Sequence, residues 1–407
     1  MTPREPSTLL VLASTYPRWK DDHEPGFVHE LAKRLAGRFR VIVLCPHAVG
    51  ASEREILDGV EIIRYRYAPR SWETLVNDGG IVANLRANRW KYFLAPGFAL
   101  AQAWHAWRIC RREKVGIIHA HWLVPQGVVA ALLQLMPGTN IPYLVTSHGA
   151  DLHAVQGGVL NRLKRLVANR AAAVTVVSGA MKDKLRALGV GTAKISVLPM
   201  GVDMQERFSA SGAESRSARE LLFVGRLVEK KGLRHLLDAM PMVLRSLPDA
   251  TLTIAGFGPE DGRLKAQAEA LRLGSSVRFL GAVPQAGLPA LYHHAALFVA
   301  PFIRAKSGDE EGLGLVLVEA IGCGCPILAG NVPALAEVLG DDFDDMAVDP
   351  LDATDLSNRI IKMLGDPIET NARAALLRKA IGERFDWKNV ADEYARLLGS
   401  CMGITSK

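Results

Sequence analysis

Residues 221–239 read LLFVGRLVEKKGLRHLLDA and indicate the fold class most clearly. This stretch contains a short apolar run at 221–225, then a basic turn, then the start of a helical pattern near 233–245. Short runs of Val, Ile and Leu that alternate with longer helical patterns are typical of parallel sheets covered by helices on both faces. The same alternation extends along the chain in both directions and predicts the α/β class.

The predicted strands fall into two groups on either side of a polar stretch. The first group lies near 8–14, 40–45, 60–66, 115–119, 142–146 and 173–178, with amphipathic helices such as 28–36 between them. The second lies at 221–225, 251–256, 277–280 and 297–301. Residues 209–219 are small and polar without periodicity, which predicts a linker. We therefore expect two doubly wound domains, 1–205 and 206–385, with a C-terminal helix at 386–407 that joins the first.

Composition limits the function classes. With 407 residues, 49% hydrophobic and 22% charged, the chain has enough apolar material for two or more cores, which excludes a disordered or disulfide-scaffold protein. Its five cysteines are scattered and odd in number, which indicates a reducing compartment and no zinc site. Neither a signal peptide nor a bilayer-spanning segment is visible, so we expect a cytoplasmic protein that is soluble or peripheral.

The net charge of +7 is the sum of two unlike halves. Residues 1–205 carry 26 Lys and Arg against 15 Asp and Glu, a net charge of +11, whereas residues 206–407 carry 23 against 27, a net charge of −4. A basic first half suggests an anionic partner. Nucleic acid is a poor candidate because no recognised DNA or RNA module accompanies the charge.

A basic turn follows the strand at 221–225. Arg226 and Lys231 lie beside the start of a helix, where cations and free backbone N–H groups favour an anion such as a diphosphate. A solvated basic turn is the alternative interpretation of this common pattern. Neither a Walker sequence nor a complete dinucleotide fingerprint occurs, which weakens ATPase and dehydrogenase assignments.

Two carboxylates bracket a glycine-rich turn in EEGLGLVLVEAIGCGCP, residues 310–326. We expect Glu311 in the loop and Glu319 about two turns into the following helix, on one face, so that both point into a single cleft. Carboxylates accept hydrogen bonds from pairs of hydroxyls, which suits sugar or ribose recognition. A surface-helix role for Glu319 is the weaker alternative because the surrounding residues are apolar.

The predicted first domain has two further candidate positions. His148 follows an apolar strand and precedes Gly149, which allows close backbone approach, whereas His119 and His121 in IIHAHW stay open between a structural and a functional role. Gly26 ends a loop just before a helix, where N–H groups can meet phosphate. Asp21 and Asp22 lack a third carboxylate, so we expect no required metal.

Together these elements resemble glycosyltransferase family 4, the retaining nucleotide-sugar transferases of the GT-B fold. The motifs that carry the resemblance are HGAD at 148–151, VVSGAM at 176–181, VLPMGVD at 197–203, FVGRLVEKKG at 223–232, GFGP at 256–259 and the Glu-x7-Glu element at 311–319. The resemblance implies two Rossmann-like domains that face a central cleft, a nucleoside-diphosphate sugar as the donor substrate, and no cofactor or metal.

The resemblance also implies roles for single residues. Arg226 and Lys231 would bind the donor diphosphate, to which Gly26 would add a backbone N–H. Glu319 would bind the ribose. Glu311, with Gly314 and Leu315 in the following turn, would hold hydroxyls of the transferred sugar, and His148 would lie near the anomeric centre and the sugar's 6-position.

The acceptor side rests on residues 86–114, where basic and aromatic side chains interleave. The cations are Arg86, Arg89, Lys91, Arg108, Arg111, Arg112 and Lys114, and the aromatics are Trp90, Tyr92, Phe93, Phe98, Trp104 and Trp107. Such a pattern suits an element that lies on anionic lipid. We expect a saccharide or lipid-linked saccharide as acceptor, as in exopolysaccharide, O-antigen or glycolipid synthesis. A core-packed helix pair with solvated cations is the alternative.

Two other functions fit a two-domain α/β chain. A non-hydrolysing sugar-nucleotide epimerase would need acid and base groups around the sugar but no acceptor site. A hinged sugar-binding protein belongs to a different class, and the absence of a visible signal peptide counts against it.

Overall fold

A computed structural model of the chain describes residues 6–20, 22, 26–76, 80–154, 156–210 and 216–403, apart from the side chains of residues 83, 86 and 87. Its contacts divide the chain into two compact units. Unit 1 comprises Met1–Gly201 with Lys388–Lys407, and unit 2 comprises Val202–Trp387.

Unit 1 contains an eight-stranded sheet with the order β3-β4-β2-β1-β5-β6-β7-β8. Its strands are β1 Thr8–Leu12, β2 Arg40–Pro46, β3 Arg54–Leu57, β4 Val60–Tyr65, β5 Val115–His121, β6 Tyr143–Ser147, β7 Ala173–Val176 and β8 Ile195–Val197. All neighbours are parallel except β3 and β4. Its helices are α1 Phe27–Leu35, α2 Gly80–Ala87, α3 Leu94–Arg112, α4 Val128–Leu133, α5 Ala150–His153, α6 Gly158–Arg170 and α7 Gly179–Ala187.

Unit 2 contains a six-stranded, fully parallel sheet with the order β11-β10-β9-β12-β13-β14. Its strands are β9 Glu220–Val224, β10 Thr251–Ala255, β11 Val277–Gly281, β12 Leu297–Ala300, β13 Ile327–Gly330 and β14 Ala347–Val348. Its helices are α8 Leu233–Ser246, α9 Asp261–Ala270, α10 Leu288–His294, α11 Leu315–Gly322, α12 Pro333–Leu339, α13 Phe343–Met346, α14 Ala353–Gly365 and α15 Pro367–Phe385. The last helix, α16 Trp387–Cys401, starts at the boundary between the units.

The central strands are apolar runs because helices cover both faces of each sheet. Every residue of β1 and β12 is buried. On one side of the second sheet, α8 and α14 bury Leu236, Met240 and Ile360 against β9 and β10. This packing confirms the α/β class and the predicted strands at 8–14, 40–45, 60–66, 115–119, 142–146 and 173–178, within a few residues at their ends.

The stretch at 209–219 is not a free linker where the structure describes it. A ring nitrogen of His293 donates to the carbonyl of Ser209. The Arg216 guanidinium donates to the carbonyls of Tyr292, Ala295 and Gly324. Polar composition suggested a linker, but these side chains tie its ends to unit 2, and residues 211–215 lie outside the described residues.

Packing after residue 201 also differs from the boundary predicted at 205. Val202 donates its backbone N–H to the carbonyl of Phe385 at 2.7 Å, and Phe208 is buried beside Tyr292. The segment therefore belongs to unit 2 from Val202 onward. The residues of α16 from Lys388 belong to unit 1, where the Tyr394 hydroxyl donates to the carbonyl of Leu198.

Candidate active site

The candidate donor-binding residues lie where the strand order of the second sheet reverses. From β9 the chain continues to β10 on one side, while β12 lies on the other. Ligands of open α/β sheets bind outside the carboxyl ends of the strands at such a point. The chain leaves β9 through Gly225 and Arg226, and it leaves β12 through Pro301 and the segment that contains Glu311. Two of the predicted motifs thus start at this switch point.

Lys231 and Glu311 form a mostly buried ion pair. Lys231 Nζ lies 2.8 Å from Glu311 Oε2 and 4.0 Å from the centroid of the Phe302 ring. The adjacent Lys230 pairs with Asp309 at 3.3 Å. The structure therefore brings together a cation and a carboxylate that the sequence placed in separate motifs.

Burial and charge act in opposite directions on this pair. Burial lowers the pKa of the Lys231 ammonium, and the Glu311 carboxylate opposes that effect. Burial alone would raise the pKa of Glu311, but the positive charges of Lys231 and Lys230 lower it to about 2. Arg226 adds a further positive charge close enough to lower the pKa of Lys231. The carboxylate stays ionised at neutral pH and holds Lys231 in place.

Two glycines with positive φ shape the loops after β9 and β12, and the first of them lets these loops approach each other. Gly232 has φ 68°, and a Cβ there would lie 1.7 Å from the carbonyl oxygen of Pro301. Gly314 has φ 83° and directly precedes α11, whose first residue is Leu315. Both positions require glycine, so the backbone around Lys231 and Glu311 is tightly set.

Glu319 is buried in α11, with 6% of its surface exposed. Its carboxylate accepts hydrogen bonds from the Tyr292 hydroxyl at 3.1 Å and from the Gln285 amide at 3.3 Å. Burial raises its pKa to about 7, against the effect of these two donors and of Arg207 and Lys231. The helix begins at Leu315, so Glu319 lies little more than one turn into it, and the prediction of two turns was wrong.

In unit 1 the strand order reverses between β2 and β5, on either side of β1. His148 follows β6, and its ring nitrogen Nε2 lies 2.9 Å from Nδ1 of His121, the last residue of β5. The rings of Phe27 and Trp122 also contact His148, with centroids 4.8 and 5.1 Å away. Burial lowers the pKa of His148 to about 3, so its imidazole is neutral at physiological pH.

Gly26 directly precedes α1, at the end of the loop that follows β1. Phe27, the first residue of that helix, contacts the His148 ring. The structure therefore packs the first residue of the helix that Gly26 precedes against His148.

Asp151, in the same motif as His148, has a structural task. One carboxylate oxygen accepts from the backbone N–H of Leu123 at 2.6 Å, and the other accepts from the Ser147 hydroxyl at 2.7 Å. Asp151 therefore links the turn after β5 to the turn after β6, and it holds His121 and His148 in register.

The two halves of the chain match two related family descriptions. Residues 27–206 match "Glycosyltransferase Family 4", and residues 204–381 match "Glycosyl transferases group 1". The chain belongs to glycosyltransferase family 4. Its predicted function class, a glycosyltransferase, is thereby confirmed, and neither an epimerase nor a binding protein is supported.

Similar proteins support the same family. Glycogen synthase of Mycobacterium tuberculosis is 29% identical, over 91% of this chain and 89% of its own length. Phosphatidyl-myo-inositol mannosyltransferase of the same organism is 28% identical, over 90% of this chain and 98% of its own.

Solved structures confirm the predicted GT-B fold of this family 4 glycosyltransferase. Sucrose-phosphate synthase from Thermosynechococcus elongatus has a TM-score of 0.78 at 21% identity, with 98% of this chain and all of that one covered. Anabaena HepE, solved with UDP and glucose, has a TM-score of 0.70 at 18% identity, with 97% of this chain and all of that one covered.

Of the two carboxylates considered for a metal in this glycosyltransferase, the one that the structure describes forms an ion pair. Asp22 pairs with the Arg18 guanidinium at 2.6 Å, and Asp21 lies outside the described residues. Among the residues that the structure describes, no group of three or more His, Cys, Asp or Glu side chains could hold a metal ion.

The basic and aromatic element of this glycosyltransferase centres on α3. One face of the helix is buried, through Leu94, Phe98, Gln102, Ala106, Ile109 and Cys110. The opposite face exposes Leu100, Trp104, Arg108 and Arg111, and Arg112 is exposed at the end of the helix. The helix therefore packs on the core, as the alternative interpretation expects, and it also presents an aromatic and cationic stripe, for which contact with anionic lipid stays a prediction.

Several residues of that element do not fit an interfacial role. Phe98 is a core residue, and the buried Lys91 ammonium donates to the Thr74 carbonyl and the Asn84 side chain. The side chain of Arg86 lies outside the described residues. In the described part of the chain, no helix combines the length and apolar character that crossing a bilayer requires.

Proposed function

We propose that this chain transfers a hexosyl group from a nucleoside-diphosphate sugar to a saccharide or lipid-linked saccharide, with retention at the anomeric carbon and without a metal ion. Exopolysaccharide, O-antigen and glycolipid synthesis are the settings that such a reaction fits. The observation that carries the proposal is the buried pair of Lys231 and Glu311 beside Arg226, at the switch point of the second sheet.

The departing group of this reaction is a nucleoside diphosphate, on whose oxygens negative charge develops. Arg226, Lys231 and the N-terminus of α8 supply positive charge there without a divalent ion. Because Glu311 already orients the Lys231 ammonium, little reorganisation is needed when the charge develops. In this proposal Gly26, which precedes α1, donates its backbone N–H to the same diphosphate.

The remaining assignments follow the chemistry of the side chains. Glu319 accepts hydrogen bonds from the ribose hydroxyls. Burial raises its pKa to about 7, and hydrogen bonds donated by these hydroxyls favour its ionised form. Glu311, with Gly314 and Leu315, holds hydroxyls of the transferred sugar. The neutral imidazole of His148 hydrogen-bonds that sugar near its anomeric centre and 6-position.

A transfer assay with α-configured nucleotide sugars, saccharide acceptors and EDTA tests the reaction. We expect acceptor-dependent release of the nucleoside diphosphate and an α-linked product by NMR. Lys231→Met lowers the rate more than about 100-fold, whereas Lys265→Met, which alters an exposed ion pair in the same unit, leaves it unchanged. A β-linked product, loss of activity in EDTA, or epimerised donor without acceptor would each contradict the proposal.

We further propose that the acceptor lies at an anionic membrane surface on the cytoplasmic side, which the stripe on α3 contacts. Phe93 is 86% exposed, Leu100 71% and Trp104 53%. Exposed Arg108, Arg111 and Arg112 follow them toward the end of the helix. Exposed aromatic groups beside arginines suit the boundary between anionic headgroups and acyl chains.

Flotation with liposomes that contain anionic lipid tests this surface. The triple variant Arg108→Glu, Arg111→Glu and Arg112→Glu is expected to abolish binding at low salt. A matched triple on α6, with Arg162, Arg165 and Arg170 each changed to Glu, carries the same charge change in the same unit and retains binding through α3. Equal loss of liposome binding in both triple variants would show that net charge alone explains the binding, and it would contradict a specific contact surface on α3.

A further inference from the structure

The contact between His121 and His148 is an in-plane hydrogen bond. The two ring planes lie 5° apart, the centroids are 5.1 Å apart, and Nδ1 of His121 lies 2.9 Å from Nε2 of His148. The distance between the ring centres is close to the sum of the N···N distance and the two distances from ring centre to nitrogen. Both nitrogens must therefore lie almost on the line that joins the ring centres. The rings therefore lie edge to edge, as an N–H···N hydrogen bond requires, and are not stacked face to face.

Both imidazoles are neutral, so this contact holds one proton. Burial lowers the pKa of His148 to about 3 and that of His121 well below its ordinary value. In a neutral imidazole one nitrogen donates and the other accepts. If His148 Nε2 donates across this bond, its Nδ1 has a lone pair. If Nε2 accepts, Nδ1 carries the hydrogen.

The protein holds the His121 ring firmly. His121 ends β5 and is 1% exposed, and its ring lies 4.1 Å from the ring of His119, centroid to centroid. Nε2 of His119 is 2.7 Å from the Thr146 hydroxyl, which in turn is 2.6 Å from that of Thr175. A hydrogen-bonded chain across β5, β6 and β7 therefore supports the residue that His148 contacts.

We propose that His121 is a positioning residue that holds His148 in a single neutral tautomer. His148 Nε2 is hydrogen-bonded to His121, and Nδ1 is the ring nitrogen that contacts the sugar. This inference rests on the proposed role of His148 in transfer. A wrong or mixed tautomer would present a donor where the sugar needs an acceptor, or the reverse, and would lower the productive fraction of the enzyme.

Kinetics of three His121 variants test the positioning role. His121→Phe keeps a ring but removes the nitrogen, and it is expected to lower kcat about 10- to 100-fold, with less than about a threefold change in donor KM. His121→Asn restores a polar group near the position of Nδ1 and recovers most of kcat. His121→Gln, whose amide reaches the position of Nε2, does not. Equal kcat in the Asn and Gln variants would overturn the inference.

Two variants of His148 test which nitrogen faces the sugar. His148→Asn keeps an amide near Nδ1, whereas His148→Gln keeps one near Nε2. We expect His148→Asn to retain at least about tenfold more activity than His148→Gln. Higher activity of the Gln variant would overturn the assignment of Nδ1.

NMR of imidazole-¹⁵N-labelled protein tests the tautomer without any transfer assay. The His148 signals are assigned by their loss in His148→Asn. One tautomer is expected in the wild-type chain and a mixture in His121→Phe. An unchanged single tautomer in His121→Phe would overturn the positioning role even if transfer is active. A mixed tautomer in that variant, with no transfer by the wild-type protein, would instead contradict only the proposed function.

Discussion

The burial of Glu319 makes the free energy of unfolding depend on pH. Its pKa is raised to about 7 in the folded chain, so the protonated carboxyl is the form that the fold favours. Stability from this group is fully present below the ordinary glutamate pKa, and it is lost as pH rises through about 7. Glu319→Gln keeps the shape without the ionisation. Its stability relative to wild type should therefore rise by about 2 to 3 kcal/mol between pH 5 and pH 8.

Urea unfolding at several pH values measures this difference. Gln285→Ala serves as a control, because it removes one hydrogen bond to Glu319 but leaves the carboxyl titratable. A constant difference between Glu319→Gln and wild type across this range would contradict a raised pKa.

Lys231 and Glu311 should be strongly coupled. Both side chains are mostly buried, so Lys231→Met leaves an uncompensated carboxylate and costs about 3 kcal/mol or more of folding free energy. The double variant Lys231→Met, Glu311→Gln recovers most of that stability, yet it remains inactive. A double-mutant cycle measures the coupling.

The exposed pair of Lys265 and Asp261, also 2.8 Å apart, is the matched control for this cycle. Its coupling should be below about 0.5 kcal/mol because solvent screens it. Similar coupling energies in the two pairs would show that burial does not strengthen the site pair.

At the scale of elements, the close approach of two loops at the donor side depends on one glycine. Gly232→Ala places a Cβ 1.7 Å from the Pro301 carbonyl at a positive φ, so the loop must shift. We expect a loss of more than about 2 kcal/mol. Gly382→Ala, inside α15 with open space around it, should instead stabilise by about 0.5 to 1 kcal/mol. Chemical denaturation of both variants measures the contrast, and equal effects would contradict it.

Most of the buried parallel strands were predicted, because continuous apolar runs identify them, but β8 and the buried β13 were missed because they have only three and four residues. The strand β3 was missed because it is a short edge strand of two charged and two apolar residues, none of which is buried. The strand β14 has two residues, too few for any pattern. The polar stretch at 209–219 suggested a linker because a side chain such as Arg216, which anchors it, leaves no periodic signal.

Part of the candidate site was also predictable. Arg226, Lys231 and Glu311 follow strand ends, and the carboxyl ends of neighbouring parallel strands meet at one edge. Tyr292 and Gln285 were missed as partners of Glu319, because no local pattern links α10 and its preceding turn to α11. The contact of His121 with His148 follows from the parallel pairing of β5 with β6, where His121 opposes Thr146, two residues before His148.

At the scale of the whole molecule, the chain returns to its first unit after completing the second. Leu398 of α16 is fully buried in unit 1, although residues 202–387 of unit 2 precede it in sequence. Tyr394 on the same helix contacts the His119 ring and donates to Leu198. A defect in α16 should therefore loosen the core of unit 1 rather than the unit that lies next to it in sequence.

Leu398→Ala tests this prediction by hydrogen exchange. The cavity should cost about 2 to 5 kcal/mol, and amides of β5 and β7 should exchange faster while those of β9 and β10 are unchanged. Leu376→Ala on α15 is the matched control, because Leu376 is largely exposed and its truncation should cost less than about 0.5 kcal/mol. Faster exchange in β9 and β10, with β5 and β7 unaffected, would contradict the assignment of α16 to unit 1. Such a result would mean that Leu398 supports the core of unit 2 instead.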